Sequence, residues 1–337
     1  MKKVMSALFV LALSAALSVS LVSAKNVTGK FVDRTDWPTT FTVYAEEPVR
    51  NYLERTLEVP VKSFESNTYN EAIEAMQAGK VDAFEIGPLS YLLAAKVAGA
   101  EAIAVADYNT TVDLKRSPGY YSLMFTVKGS GIASIDDLKG KSMAYSELAS
   151  TSGYLVPTFD IMTAEGFDKT SLLDTFFSKV EFTGSHPDTI AAVASGKIDA
   201  GGTSDSQLIG EIDAAGIKVC GVAAGTPANE AVFKTAMTEE DIMAIYHDCP
   251  DGNIAVFHQS SLIPSTPFAI NGSLPQSFKD AVQAALLNIA NDQKAVDAIG
   301  EYYVDPRTID SKLTSIDAFY EPLRKIAKVL EVDLTAN

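Results

Sequence analysis

Two stretches of this chain, 117 residues apart, carry the same pattern. Glu71–Glu85 reads E-A-I-E-A-M-Q-A-G-K-V-D-A-F-E, and Asp188–Gly202 reads D-T-I-A-A-V-A-S-G-K-I-D-A-G-G. Each is an apolar stripe at helical spacing, a Gly-Lys stop, and then a strand opening Val/Ile-Asp-Ala. The separation is too long for a solenoid repeat. It predicts two doubly wound α/β domains that face each other and turn their strand C-termini and helix N-termini toward a shared cleft.

The surrounding sequence keeps the same rhythm. Phe41–Tyr44 reads as a strand, Val49–Leu57 as a helix, Val59–Phe64 as a second strand and Tyr69–Ala78 as a helix stopped by Gly79. Val81–Ile86 is a third strand, and Gly87-Pro88 opens a helix through Ala98. Such βαβ succession implies mostly parallel sheets with helices on both faces. Hinge crossings between the halves are expected near Tyr121–Val127 and Leu262–Phe268, the second an extended L-I-P-S-T-P-F strap restricted by two prolines. Leu274–Ile289 and Ser315–Leu330 then read as helices returning to the first domain. The expected division is a first lobe of residues 25–122 plus 264–337 and a second of residues 123–263.

The N-terminal segment reads as a signal peptide. Lys2 and Lys3 precede a nearly continuous apolar run from Val4 to Val22, and Val22-Ser23-Ala24 presents small residues at a cleavage site. The alternative is a membrane anchor, for which the run is only marginally long. Cleavage after about Ala24 leaves an exported chain of roughly 310 residues, more than one core usually supports. Cys220 and Cys249 are the only cysteines. In an oxidising compartment they are expected to pair, the alternative being two unrelated buried thiols.

The candidate chemistry lies at Ala149–Pro157, A-S-T-S-G-Y-L-V-P. Three consecutive hydroxyls, Ser150, Thr151 and Ser152, stand at the start of a predicted helix, where backbone N–H groups lack internal partners. That is a ready anion site without a fixed positive charge. The chain is acidic, with 27 Lys+Arg against 43 Asp+Glu. A small oxyanion held by dipoles and hydroxyls therefore fits it better than a nucleic acid or an acidic membrane surface.

Several motifs, in matching order from about Phe41 to Leu330, carry a family resemblance. They are N-T-Y-N-E-A-I with G-K-V-D-A-F-E-I-G-P-L-S-Y, S-P-G-Y-Y-S, D-L-K-G-K, A-S-T-S-G-Y-L-V-P, G-S-H-P-D-T-I, L-I-P-S-T-P-F and Y-E-P-L-R-K-I-A. The chain resembles the periplasmic phosphonate/phosphite/phosphate-binding proteins of ABC importers, which have a type II periplasmic-binding-protein fold. The resemblance implies a monomeric periplasmic protein that closes two lobes on a phosphorus oxyanion and delivers it to permease subunits, without cofactor or metal. It implies ligand contacts from Tyr69, Tyr120, Ser150, Thr151, Ser152, His186 and Asp205. Leu89, Ser90 and Thr266 are further candidates.

One position departs from the family pattern. Members that take aminoalkyl phosphonates tend to carry an aspartate where this chain has Thr266. A carboxylate at Asp205 beside a dianion must accept a proton from the ligand, so protonated phosphite, phosphate or a small alkyl phosphonate is expected over an aminoalkyl one. The segment from about Cys220 to Gln259 is longer than the family leads one to expect, and no role is assigned to it. Catalysis is not expected: A-S-T-S-G is not the G-x-S-x-G elbow. Gly140-Lys141-Ser142 lacks the P-loop glycine, Ile135 standing in its place. A sensor module presenting the same ligand to a receptor is the alternative function.

Overall fold

The computed structural model describes residues 34–107, 118–214, 216–221, 238–300 and 302–332. The signal segment and its cleavage site lie outside the described residues, as do residues 222–237 of the unassigned segment.

The chain begins β1 (Phe41–Tyr44), α1 (Glu47–Leu57), β2 (Val61–Ser63), α2 (Tyr69–Gln77), β3 (Ala83–Glu85), α3 (Pro88–Ala98) and β4 (Ala100–Asp107). It continues through β5 (Gly119–Tyr120), β6 (Ser122–Val127) and β7 (Ser142–Tyr145). A π turn at Thr151–Leu155 then leads into α4 (Val156–Glu165), followed by the single turn α5 (Leu173–Phe176) and β8 (Lys179–Phe182). Next come α6 (His186–Ala194), β9 (Ala200–Ser204), α7 (Asp205–Ala214), α8 (Glu239–Asp248) and β10 (Ile254–Gln259). The return runs through β11 (Ile263–Pro264), β12 (Pro267–Asn271), α9 (Gln276–Leu287), α10 (Gln293–Ile299), β13 (Tyr302–Val304) and α11 (Glu321–Val329).

Two large sheets result, ordered β13-β4-β12-β3-β1-β2 and β10-β6-β9-β7-β8, beside a two-stranded ribbon of β11 and β5. They share one plan. In each, a first strand (β1 or β7) lies between the second and third and runs parallel to both. One antiparallel strand is then inserted between the third and the fourth, β12 in one sheet and β6 in the other. Each inserted strand is the one that follows a crossing, because β5 precedes β6, β11 precedes β12, and β5 pairs antiparallel with β11.

The repeated sequence accounts for this repeated local structure. Gly79 and Gly196 end α2 and α6 at positive φ, 67° and 72°, which glycine adopts without a Cβ penalty. The lysine after each donates its N–H back to the helix, to Ala75 O and Ala192 O. The aspartates of the two V/I-D-A stretches then perform the same task. Asp82 Oδ2 accepts from Thr42 N of β1 at 2.8 Å, and Asp199 Oδ2 accepts from Ser142 N of β7 at 2.7 Å. Each carboxylate thus pins the third strand to the first at its N-terminal end, which sets register.

Burial follows the layers. Phe41, Val43, Leu53, Phe268, Phe278 and Leu286 fill the space between the first sheet and α1 and α9. Leu123, Phe125, Ile190, Val193 and Leu208 do so for the second sheet with α6 and α7. A larger apolar cluster runs from Phe84, Leu89 and Tyr91 through Leu155 and Met143 to Tyr320 and Leu323. It joins elements of both sheets.

Three sequence expectations need correction. The first crossing is at Gly119–Tyr120, not Tyr121–Val127, because Ser122 onward already pairs with β9 as an inner strand. Ser315–Leu330 is not one helix, since a 3₁₀ turn at Asp317–Tyr320 precedes α11. That final helix also packs against both α3 and α4 rather than returning to one half alone, with the Tyr320 hydroxyl donating to Ser265 O in the strap.

The described part of the unassigned segment is structural. Thr238 and Asp241 form a reciprocal capping box at the start of α8. Lys128 Nζ lies 3.8 Å from the Tyr246 ring centroid and donates to Tyr246 O. Cys249 ends α8 and is disulfide-bonded to Cys220, 29 residues earlier, whose N–H donates to Ile254 O of β10. A loop of that length is worth roughly 3–4 kcal/mol in the chain-entropy account. A Cys220→Ser/Cys249→Ser variant is expected to lose about that much in urea unfolding; an unchanged midpoint would show that α8 is held by packing alone.

Candidate functional site

The S-T-S stretch folds as the sequence leads one to expect, with one elaboration. Ser150 is extended and caps the helix, its Oγ accepting from Gly153 N at 3.0 Å. The first turn is π-wound, so that Leu155 N reaches Ser150 O. Such π turns widen the ring of backbone groups and recur at functional positions. Gly153 is required by space. A Cβ there would collide with Ser146 Oγ and lie 2.8 Å from Ser150 Oγ and 3.0 Å from His186 Cε1.

The three hydroxyl residues are each no more than 3 % exposed, and they face a cavity of about 750 Å³. Tyr69, Tyr120, Ser150, Thr151, Ser152, His186 and Thr266, all singled out from the sequence, line this one cavity. The cavity lies where α1, α2, α3, α4, α6 and α7 present their N-terminal ends. Glu46, Tyr69, Gly87, Thr151, His186 and Ser206 are wall residues at or beside those ends. The positive ends of helix dipoles therefore converge from both sheets.

His186 opens α6 behind the Ser185 cap. Its Nδ1 is 2.9 Å from Thr203 Oγ1 and its Nε2 is 3.3 Å from Ser150 Oγ. Burial lowers its pKa to about 4, so the ring is neutral at neutral pH and contributes a dipole rather than a charge. Burial raises the hydroxyl pKa of Tyr69, and the nearby Glu147 adds to the effect. In Tyr120 hydrogen bonding with Ser152 and Thr151 opposes the same effect of burial. Both phenols are therefore donors, not phenolates.

One expected contact residue, Asp205, and two further candidates, Leu89 and Ser90, sit behind the wall instead. Asp205 is fully buried. Its N–H donates to Tyr121 O, its Oδ1 accepts from Ser206 N at 2.9 Å, and its Oδ2 has no partner among the described residues. Burial pushes this carboxyl up to about 7. Its neighbours Ser204 and Ser206 reach the cavity, because the chain turns from strand to helix at this point. Leu89 and Ser90 are also fully buried. They tie the two halves together: Leu89 N donates to Thr151 Oγ1 at 2.8 Å and Ser90 Oγ donates to Ala149 O at 2.7 Å. Tyr69 N adds a third link to Glu147 Oε2 at 3.1 Å.

The wall also holds residues that the sequence reading did not single out. Ser204 ends β9 and Ser206 and Gln207 follow it, and Glu46, Glu47 and Arg50 follow β1. The rule that sites gather at strand C-termini would have found both groups. Glu85, inside an apolar strand, is the less legible one. Arg50 is the one Lys or Arg among the lining residues, and its guanidinium donates to Ala45 O. Among the described residues no group of three His, Cys, Asp or Glu side chains could hold a metal ion. No helix among them is long and apolar enough to cross a membrane.

Residues 42–306 match the family described as ABC transporter, phosphonate, periplasmic substrate-binding protein. The chain is 26 % identical over 255 residues to the phosphonates-binding periplasmic protein of Escherichia coli, covering 74 % of this chain and 63 % of that one. It is 28 % identical over 167 residues to the phosphate-import protein PhnD of Mycolicibacterium smegmatis, covering 48 % of this chain and 50 % of that one. The match thus spans about half to just under two thirds of the length of these curated relatives. The fold is shared with PhnD1 from Prochlorococcus marinus, solved in complex with methylphosphonate, at a TM-score of 0.61 and 17 % identity over 86 % of this chain and 98 % of that one. That family is one of binding proteins, not enzymes. By its match across most of its length, this chain belongs to the periplasmic phosphonate substrate-binding proteins of ABC transporters.

Proposed function

We propose that this protein captures a phosphorus oxyanion between two lobes, residues 25–122 with 264–337 and residues 123–263, and delivers it to a membrane permease. Its N-terminal segment exports it and is removed after about Ala24, and it works as a monomer. The observation that carries the reading is the convergence of helix N-termini, buried hydroxyls and a neutral histidine on one cavity. The names of the relatives support the ligand class, since one is a phosphate-import protein and another is solved with methylphosphonate.

The energetics suffice without a cluster of cations. A hydrogen bond to a charged group contributes about 1.5–3 kcal/mol. Five from Tyr69, Tyr120, Ser150, Ser152 and His186, offset by desolvation and closure, leave enough for micromolar binding at about −8 kcal/mol. Calorimetric titration with phosphate, phosphite and methylphosphonate tests this directly. Micromolar or tighter binding of at least one is expected, and heat from none of them would overturn the reading.

Loss of single donors should follow. Ser152→Ala and His186→Asn are each expected to weaken binding by about tenfold, one charge-assisted bond's worth. Arg50→Gln should cost less than either, and a larger loss for Arg50→Gln would shift the anion to the opposite wall.

Buried titrating groups beside the cavity make stability depend on pH. Asp205 keeps its proton in the fold up to about 7, whereas an ordinary aspartate gives it up near 3.8. Its contribution is full below the lower value and is lost as pH rises toward 7. His186 has the opposite sign: with its pKa lowered from 6.5 to about 4, its contribution is lost as pH falls through that window. Asp205→Asn should therefore gain thermal stability relative to the parent at pH 7.5 compared with pH 5. An unchanged difference between the two pH values would mean that Asp205 is ionised in the fold.

A further inference from the structure

We infer that Glu85 is a specificity-determining residue, and that the first-sheet wall is a second subsite accepting a hydrogen-donating group at the far end of the ligand. The inference rests on the oxyanion reading above and extends it from an anion to an anion with a substituent.

Space is the first argument. A tetrahedral oxyanion of five heavy atoms fills only a few water volumes of roughly 30 Å³ each. The cavity measures about 750 Å³, within the range that encloses drug-sized ligands. A bare oxyanion leaves most of it to solvent.

The two walls differ in chemistry. From the second sheet come Ser150, Thr151, Ser152, His186, Ser204 and Gln207, none of them charged at neutral pH except by the helix dipoles behind them. From the first sheet come Glu46, Glu47, Glu65 and Glu85 against the single cation Arg50. An anion is drawn to the first of these walls and repelled by the second, which orients any ligand that has two ends.

Glu85 is the member of that wall with a built environment. It ends β3 between Phe84 and Ile86, both buried. The Tyr303 hydroxyl donates to its Oε1 at 2.7 Å, and no described residue bonds its Oε2. Glu85 is half-buried and lines the cavity, so its carboxyl is within reach of a donor on a ligand. Burial, with Glu46 adding to it, already pushes its pKa up to about 7 despite the Tyr303 bond. An ammonium or hydroxyl on a ligand substituent supplies a second donor beside Tyr303. This departs from the small-alkyl preference expected from Thr266, since the acceptor comes from a different strand.

The test compares methylphosphonate, 2-hydroxyethylphosphonate and 2-aminoethylphosphonate by titration calorimetry on the parent and on Glu85→Gln. The parent should bind at least one donor-bearing ligand about tenfold more tightly than methylphosphonate, the value of one added bond to a charged group. Glu85→Gln should remove most of the gain for the aminoethyl ligand while leaving methylphosphonate within about twofold, because only the charge has been taken away. Retention of the gain by the hydroxyethyl ligand would identify a hydroxyl as the group accepted, and its loss only with the amine would identify an ammonium. Equal binding of all three ligands by the parent overturns the inference whether or not the variant folds. So does an equal loss for all three in Glu85→Gln. If neither methylphosphonate nor phosphate binds the parent, the oxyanion reading itself fails.

Discussion

One backbone amide holds the functional geometry together. Leu89 N belongs to the first turn of α3, where no carbonyl of its own helix can receive it. Thr151 Oγ1, on the other sheet's helix, accepts it at 2.8 Å in a buried setting. An unmet N–H there costs about 1–3 kcal/mol, so the contact is strongly preferred once the halves approach. It also fixes the hydroxyl. With Leu89 N on one side, the same hydroxyl also hydrogen-bonds with Tyr120, which lines the cavity. The contact between the halves and the placing of a cavity phenol thus draw on one oxygen atom.

How much of this was legible depends on the scale at which each residue's role is decided. The alternation of elements was readable because helix stripes, Gly-Lys stops and short apolar strands are local signals. The match of β1 to its expected bounds, and of α3 from its Gly87-Pro88 opening to Ala98, reflects caps that sit next to the helices they end. Ser150, Thr151 and Ser152 were readable for the same reason. Asp205 was not, because a single step along the chain separates Ser204 and Ser206 at the cavity from a carboxyl beneath it. Glu85 was hidden more deeply. Alternation along a strand says that one face differs from the other, but not which face meets a cavity built by residues elsewhere in the chain.

The repeated aspartates show how a structural device can look like a site motif. V-D-A and I-D-A recur because Asp82 and Asp199 each receive the N–H of a neighbouring first strand. Their place in the sequence, just ahead of the residues that do reach the cavity, follows from geometry. A strand held at its N-terminal end delivers its C-terminal end, and the helix start after it, to a reproducible point. The same frame carries uncharged donors in one half and carboxylates in the other, so the architecture sets where chemistry occurs and leaves its sign to single residues.

The inserted strands have a consequence for the order in which the molecule can be made. β3 and β4 do not pair with each other; β12, more than 150 residues later, lies between them. The second sheet needs no such delay, since all of its strands lie within Ser122–Gln259. A chain emerging from its N-terminus must therefore leave the earlier sheet split, with open edges, while the later one can already close. Contacts of long sequence separation form slowly and leave edges exposed to aggregation meanwhile. The half that is synthesised first is the half that finishes last.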